Sequence, residues 1–178
     1  MEKIKEYALG KIDENASLFT EVSDKIWEYA ELSLKEYQSA ALYTDMLKKL
    51  GFETEENICG IKTAFTGTYG SGKPVIGILA EFDALSGLSQ VGGLCEQKEL
   101  VTDGCGHGCG HNMLGAGSLA AAYAVKCWLE KTGKDGTVIF FGCPGEEGGA
   151  SKAFMARENI WRSLDAALTW HPSDCNEV

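Results

Sequence analysis

Three short apolar runs constrain this chain most: residues 74–80 (Pro-Val-Ile-Gly-Ile-Leu-Ala), 137–143 (Thr-Val-Ile-Phe-Phe-Gly-Cys) and 166–170 (Ala-Ala-Leu-Thr-Trp). Each has the length of a strand and the continuous hydrophobicity of a strand covered on both faces, as in parallel sheets. Helical patterns separate them. Residues 113–131 set Leu114, Leu119, Val125, Trp128 and Leu129 on one face before Gly133, and 149–158 reads as a second helix. Upstream, 15–31 and 39–50 carry apolar residues at three- and four-residue spacings, and 61–69 alternates as a strand does. Strand, helix, strand, helix, strand predicts an α/β fold.

Chemistry follows each run. Asp83 comes after the first, Glu146 and Glu147 after the second, and His171 after the third. Open parallel sheets bind ligands beyond the carboxyl ends of their strands, so these residues are expected to converge. Residues 87–104 read as a long functional loop, and without repeats or a Pro/Ser linker the chain reads as one domain.

Histidine occurs only three times, at His107 and His111 within Cys105-Gly-His-Gly-Cys109-Gly-His111, and at His171. Imidazole, thiolate and carboxylate are the ligands of a borderline-soft divalent cation. A spare carboxylate beside such a cation accepts a proton from water that the cation acidifies. Each element also has a plainer reading: a glycine-rich turn with incidental polar residues, vicinal glutamates on the solvated surface, a satisfied buried histidine, and Asp83 as a turn or cap residue. Their company favours the metal reading, with one glutamate as ligand and one as base, and Asp83 orienting a ligand or the water. Gly115 and Gly117 suggest close packing or a backbone held near a ligand.

Other classes are excluded. With a net charge of −10 and 16 unclustered basic residues, the chain offers no nucleic-acid surface. No run approaches the ~18 apolar residues of a membrane span, and the charged, polar start has no export signal, so a cytoplasmic protein is expected. Seven cysteines, an odd number, disfavour a disulfide framework; Cys127 and Cys143 read as buried hydrophobes. A structural zinc site lacks its second Cys/His pair, and neither a dinucleotide fingerprint, a phosphate loop nor a serine nucleophile elbow is present.

Residues 79–90 (Leu-Ala-Glu-Phe-Asp-Ala-Leu-Ser-Gly-Leu-Ser-Gln), 106–115 (Gly-His-Gly-Cys-Gly-His-Asn-Met-Leu-Gly), 142–149 (Gly-Cys-Pro-Gly-Glu-Glu-Gly-Gly) and 168–172 (Leu-Thr-Trp-His-Pro) together resemble the amidohydrolase branch of the co-catalytic metallopeptidase family. The similarity runs over essentially the whole chain. It implies a three-layer α/β/α catalytic domain with a mostly parallel sheet, and a site for two divalent ions, zinc or manganese. It further implies hydrolysis of the amide of an N-acyl or N-aroyl amino acid. By this resemblance Cys109, His111, Glu147 and His171 are metal ligands, Glu146 the general base and Asp83 the supporting carboxylate. His107, Asn112 and Glu81 line or support the site. Glu81 stands where peptidase members carry a metal-binding histidine, which leaves the first ligand open.

The family's catalytic domain is interrupted by a lid and dimerisation domain, then resumes to supply a further histidine. Residues 1–178 are therefore expected to be the N-terminal part of one catalytic domain with an incomplete metal shell. Full-length relatives are expected to be homo- or hetero-oligomeric, so a partner subunit is one way to complete it. The alternative is a non-catalytic metal- or partner-binding module whose sheet a second chain completes.

Overall fold

A computed structural model describes residues 2–175. Two helices open it, α1 (Glu2–Glu14) and α2 (Ala16–Tyr29), followed by α3 (Tyr37–Lys49). Strands β1 (Glu53–Glu56), β2 (Phe65–Ser71) and β3 (Val75–Ala80) come next, then the long α4 (His111–Thr132) and β4 (Gly136–Gly142). The chain continues through two short helices, α5 (Glu146–Gly149) and α6 (Ser151–Arg157), to β5 (Ala166–Leu168).

The five strands form one mixed sheet in the order β1-β2-β4-β3-β5. β3 pairs parallel with β4 and with β5, whereas β2 runs antiparallel to β4 and β1 antiparallel to β2. The parallel half is the half that bears the chemistry. All three of its strands end on one edge.

Side-chain alternation along β4 builds the layers. Val138 and Phe140 point into a core shared with Phe19, Val22 and Ile26 of α2, Tyr43 and Leu47 of α3, and Ala116 and Leu119 of α4. Phe141 and Cys143, with Ile139 packed beside them, face the other side, where Met155 of α6 and Trp161 and Leu164 beyond it cover them. Two unequal layers of helix therefore cover β4 and its neighbour β3, as a parallel core demands. Strand β5, expected from its apolar run to be covered as well, is exposed at all three of its residues because it lies at the end of the sheet. An aromatic knot of Tyr43, Phe65, Phe82 and Phe140, with ring centroids 5.6–6.0 Å apart, fills the thicker side.

Several boundaries differ from those expected, each for a local reason. The strand expected at 61–69 begins at Phe65, because 58–64 closes into a turn in which Ile58 N–H donates to Ala64 O at 3.2 Å. The helix expected over 149–158 is α6, which starts at Ser151 because a left-handed backbone at Ala150 (φ 48°) separates it from the short α5. The break leaves Glu146 and Glu147 on a separate turn. Helix α4 begins at His111, two residues before its apolar pattern starts. Neither α1 nor the charged β1 stands out in the sequence.

Phe140 is fully buried at the centre of the aromatic knot. Phe140→Ala is expected to lower the free energy of unfolding by roughly 3–5 kcal/mol, read from denaturant titration. A loss below about 1 kcal/mol contradicts this placement of the core.

Candidate metal centre

The parallel strands deliver their successors to one edge: Glu81 and Asp83 after β3, the Gly145–Glu147 turn after β4, and His171 after β5. A fourth segment is brought in by backbone pairing. Leu85 and Gly106 exchange N–H···O bonds of 2.9 and 3.0 Å, closing the 85–106 loop so that Cys109 and His111 arrive beside Asp83. Gly115 lets α4 approach this edge closely, since a Cβ there would lie 2.1 Å from Tyr43 Oη and 2.8 Å from the Glu81 carbonyl. Gly117 likewise lies against Trp170. Of the two readings open for these glycines, close packing is the observed one.

His111 is the centre of the arrangement. Its side chain is fully buried, and Nδ1 lies 3.1 Å from both the carbonyl and Oδ1 of Asp83. Because a carbonyl only accepts, Nδ1 carries the proton and Nε2 faces the site. There it lies 3.1 Å from Glu81 Oε2, 3.9 Å from Glu147 Oε1 and 4.0 Å from Glu146 Oε2, and makes no hydrogen bond despite its burial. Burial opposes protonation of His111, yet the Asp83 hydrogen bond and the charges of Asp83, Glu81 and Glu147 outweigh it and raise its pKa. A nitrogen so placed calls for a proton or a cation.

His171 has the same design. Its Nδ1 donates to Pro172 O at 2.9 Å and its Nε2 lies 3.2 Å from Cys109 Sγ. Both imidazoles thus have one nitrogen tied to an oxygen and the other turned toward the site, unpartnered in His111 and against the Cys109 thiol in His171, the usual posture of a metal-ligating histidine. Cys109 is pushed up to about 11 by burial, then by its hydrogen bond to Glu147 and the neighbouring carboxylates. Without a cation it remains a thiol.

Among the described residues, two groups of ligand atoms lie within 4.8 Å of one another: Cys109, His111 and His171, and Glu81, His111 and Glu146. These donors fit a borderline-soft divalent ion at the first group and a harder one at the carboxylates of the second. Glu147 belongs to neither group but touches the first through Cys109 and His111. Asp83 sits behind them. It accepts from Ser33 Oγ at 2.7 Å and from Glu147 N at 3.0 Å as well as from His111, and these bonds lower its pKa against the opposing effect of burial.

Not every residue singled out faces the cluster. The hydrogen bonds of His107 and Asn112 run to α2: His107 Nε2 donates to Ile26 O at 2.9 Å with Trp27 stacked on its ring, and Asn112 Nδ2 donates to Ser23 Oγ at 3.0 Å. Burial pushes His107 down to about 4. Conversely, Ser33, Glu36 and Lys152 reach the site's framework without standing in any recognisable motif. Lys152 ion-pairs with Glu81.

The model of peptidase family M20/M25/M40 matches residues 77–177, the stretch that carries every candidate metal ligand named above. The chain belongs to this family. It is 48% identical over 173 residues to a p-aminobenzoyl-glutamate hydrolase subunit of Escherichia coli (strain K12), covering 97% of this chain and 36% of that protein. It is 29% identical over 186 residues to the Xaa-Arg dipeptidase of Mus musculus, covering 99% of the chain and 40% of the relative. The chain thus spans well under half the length of these relatives. Among solved structures, the YXEP protein of Bacillus subtilis, described as a dinuclear metal-binding peptidase of the M20 family, superposes with a TM-score of 0.72 at 23% identity over 88% of this chain and 43% of its own. The aminobenzoyl-glutamate utilization protein of Klebsiella pneumoniae gives 0.65 at 16% identity over 96% of this chain and 46% of its own. Both show the same fold.

Because Cys109 is a thiol up to about pH 11, its coordination as thiolate must expel a proton, so affinity for zinc should strengthen as pH rises. Isothermal titration in buffers of differing ionisation heat counts that proton. Cys109→Ala is expected to release one fewer; an unchanged count removes Cys109 from the ligand set.

Proposed function

We propose that this chain carries the metal-binding and proton-transfer part of a hydrolase acting on the amide bond of an N-acyl or N-aroyl amino acid. The observation that carries the reading is the buried, unpartnered Nε2 of His111 among three carboxylates. Cys109, His111, His171 and Glu147 would hold one divalent ion, and Glu81 would contribute to a second, zinc or manganese suiting the donors. Such ions supply Lewis acidity: they polarise the scissile carbonyl and bring the pKa of water near 7.

The chain's own residues then divide the work. Glu146 is the more exposed of the two glutamates, its side chain 40% accessible against 22% for Glu147. It can therefore reach both water and substrate, and serves as the base that takes the proton from water and returns it to the departing amine. Glu147, its backbone fixed by Asp83, stays with Cys109 and His111. Asp83 holds His111 in the Nδ1–H form that presents Nε2 to the site.

An aroyl-glutamate such as p-aminobenzoyl-glutamate is the substrate we favour, on the 48% identity to the E. coli protein. We also place the remainder of the metal shell and of the substrate pocket outside this chain, in further sequence or a partner subunit. The exposed end of the sheet supports this: Leu168 is 58% and Trp170 43% accessible beside the site. Among the described residues no helix is long and apolar enough to cross a membrane, and a cytoplasmic setting accords with the free cysteines.

Glu146→Gln in the complete, metal-loaded protein is expected to lower kcat for p-aminobenzoyl-glutamate by roughly 10²–10⁴-fold with metal content unchanged. Retained turnover refutes the assignment of the base. Loss of metal together with turnover makes Glu146 a ligand instead.

A further inference from the structure

A second buried carboxylate lies outside the metal centre. Glu36, at the start of α3, is 0% exposed, and its oxygens gather three donors from three separate segments. Oε1 accepts from Leu34 N and from Gly145 N, both at 2.8 Å; Oε2 accepts from Thr63 Oγ1 at 2.9 Å. Gly145 is the residue before the glutamate pair, and its left-handed backbone (φ 62°) turns the chain from β4 into α5.

The next bond in that turn belongs to Asp83, which accepts from Glu147 N at 3.0 Å. The backbone N–H groups on either side of Glu146 are thus each held by a buried carboxylate, Glu36 before it and Asp83 after it. The floor under the turn comes from the same α2–α3 connection. A Cβ at Gly145 or Gly149 would come within 2.9 Å of the Leu34 side chain, one at Gly148 within 3.2 Å of Ser33 Oγ, and Ser33 itself donates to Asp83. Hydrogen bonds to an ionised acceptor are about twice as strong as neutral ones, and a buried N–H left without its acceptor is costly.

We infer that Glu36 is a positioning residue for catalysis: by clamping Gly145 N–H against the Leu34 and Thr63 segments, it sets where the Glu146 carboxylate stands. The inference rests on the proposed role of Glu146 as base. Burial raises the pKa of Glu36 while its hydrogen bonds oppose the rise, but both protonation states keep Oε1 free to accept from Leu34 and Gly145. The clamp therefore works with or without the charge. A misplacement of a reacting group by about 1 Å can cost roughly a hundredfold in rate, which sets the scale of its effect.

The test compares Glu36→Ala with Glu36→Gln in the complete metal-loaded protein. Glutamine keeps the Oε1 acceptor and can offer its amide to Thr63 Oγ1, so it should restore function; alanine removes the clamp. With p-aminobenzoyl-glutamate, alanine is expected to lower kcat roughly 10- to 100-fold while KM stays within about twofold and metal stoichiometry holds, and glutamine to recover most of kcat. If the alanine protein does not fold, Glu36→Met fills the space without an acceptor and should show the same selective loss of kcat.

A second readout needs no turnover. Exchange of the Gly145 amide should accelerate roughly 10- to 100-fold in the alanine or methionine protein and stay near wild type in the glutamine protein. Wild-type kcat in the alanine or methionine protein overturns the inference, as does a loss that glutamine fails to restore or unaltered Gly145 exchange. A wild-type protein that neither binds metal nor turns over refutes the proposed function instead, and Gly145 exchange then decides the clamp alone.

Discussion

Asp83 is the interaction on which the carboxyl edge of this sheet depends. One buried carboxylate receives His111 Nδ1, Ser33 Oγ and Glu147 N, and so ties the start of α4, the α2–α3 connection and the turn after β4 to the end of β3. Each donor comes from a different part of the chain. The three bonds keep Asp83 ionised in spite of its burial, because each favours the charged form. Their consequence reaches His111: with Nδ1 committed as donor, the only direction left for Nε2 is into the carboxylates of Glu81, Glu146 and Glu147.

That geometry is unfavourable by itself. Several carboxylates around an imidazole lone pair make a field that only positive charge relieves, and Lys152 beside Glu81 answers part of it. The raised pKa of His111 expresses the same field from the proton's side, and at Cys109 the field adds to a rise that burial begins. A divalent cation would relieve that field with one charge centre and would let Cys109 give up its proton. On the proposed reading the fold holds acidic groups near one another for the cations they would bind, in keeping with the membership of the chain in peptidase family M20/M25/M40.

Much of this is readable along the chain, and the parts that are not share a cause. The apolar runs place β3 and β4 because strands covered on both faces must be continuously hydrophobic. The third run does mark β5, but that strand is exposed rather than covered, and Asp83, Glu146, Glu147 and His171 are visible because they follow those runs directly. Cys109 and His111 announce themselves by rarity and spacing. Ser33 and Glu36 do not: they act through backbone N–H groups and a carboxylate far away in sequence, and such partners leave no local pattern. Glu36 in particular sits within an ordinary polar stretch, and only the meeting of the 33–36, 63 and 145 segments shows its use. Helix α1 and strand β1 are hidden by charge, since an outer helix and an edge strand need little apolar surface. The break at Ala150 arises from a backbone conformation to which alanine gives no clue, yet it frees the Glu146–Glu147 turn from α6. Which glutamate joins which group of donors is set by distances of a few ångströms, finer than spacing along the chain can register.

The central claim is that the field around His111 exists to hold a cation that also engages Cys109. X-ray absorption at the zinc edge of the complete protein loaded with zinc measures this directly. The account predicts a shell of nitrogen and oxygen neighbours together with one sulfur at about 2.3 Å, and loss of that sulfur alone in Cys109→Ser. A zinc shell without sulfur, or one left unchanged by replacing His111, would contradict it.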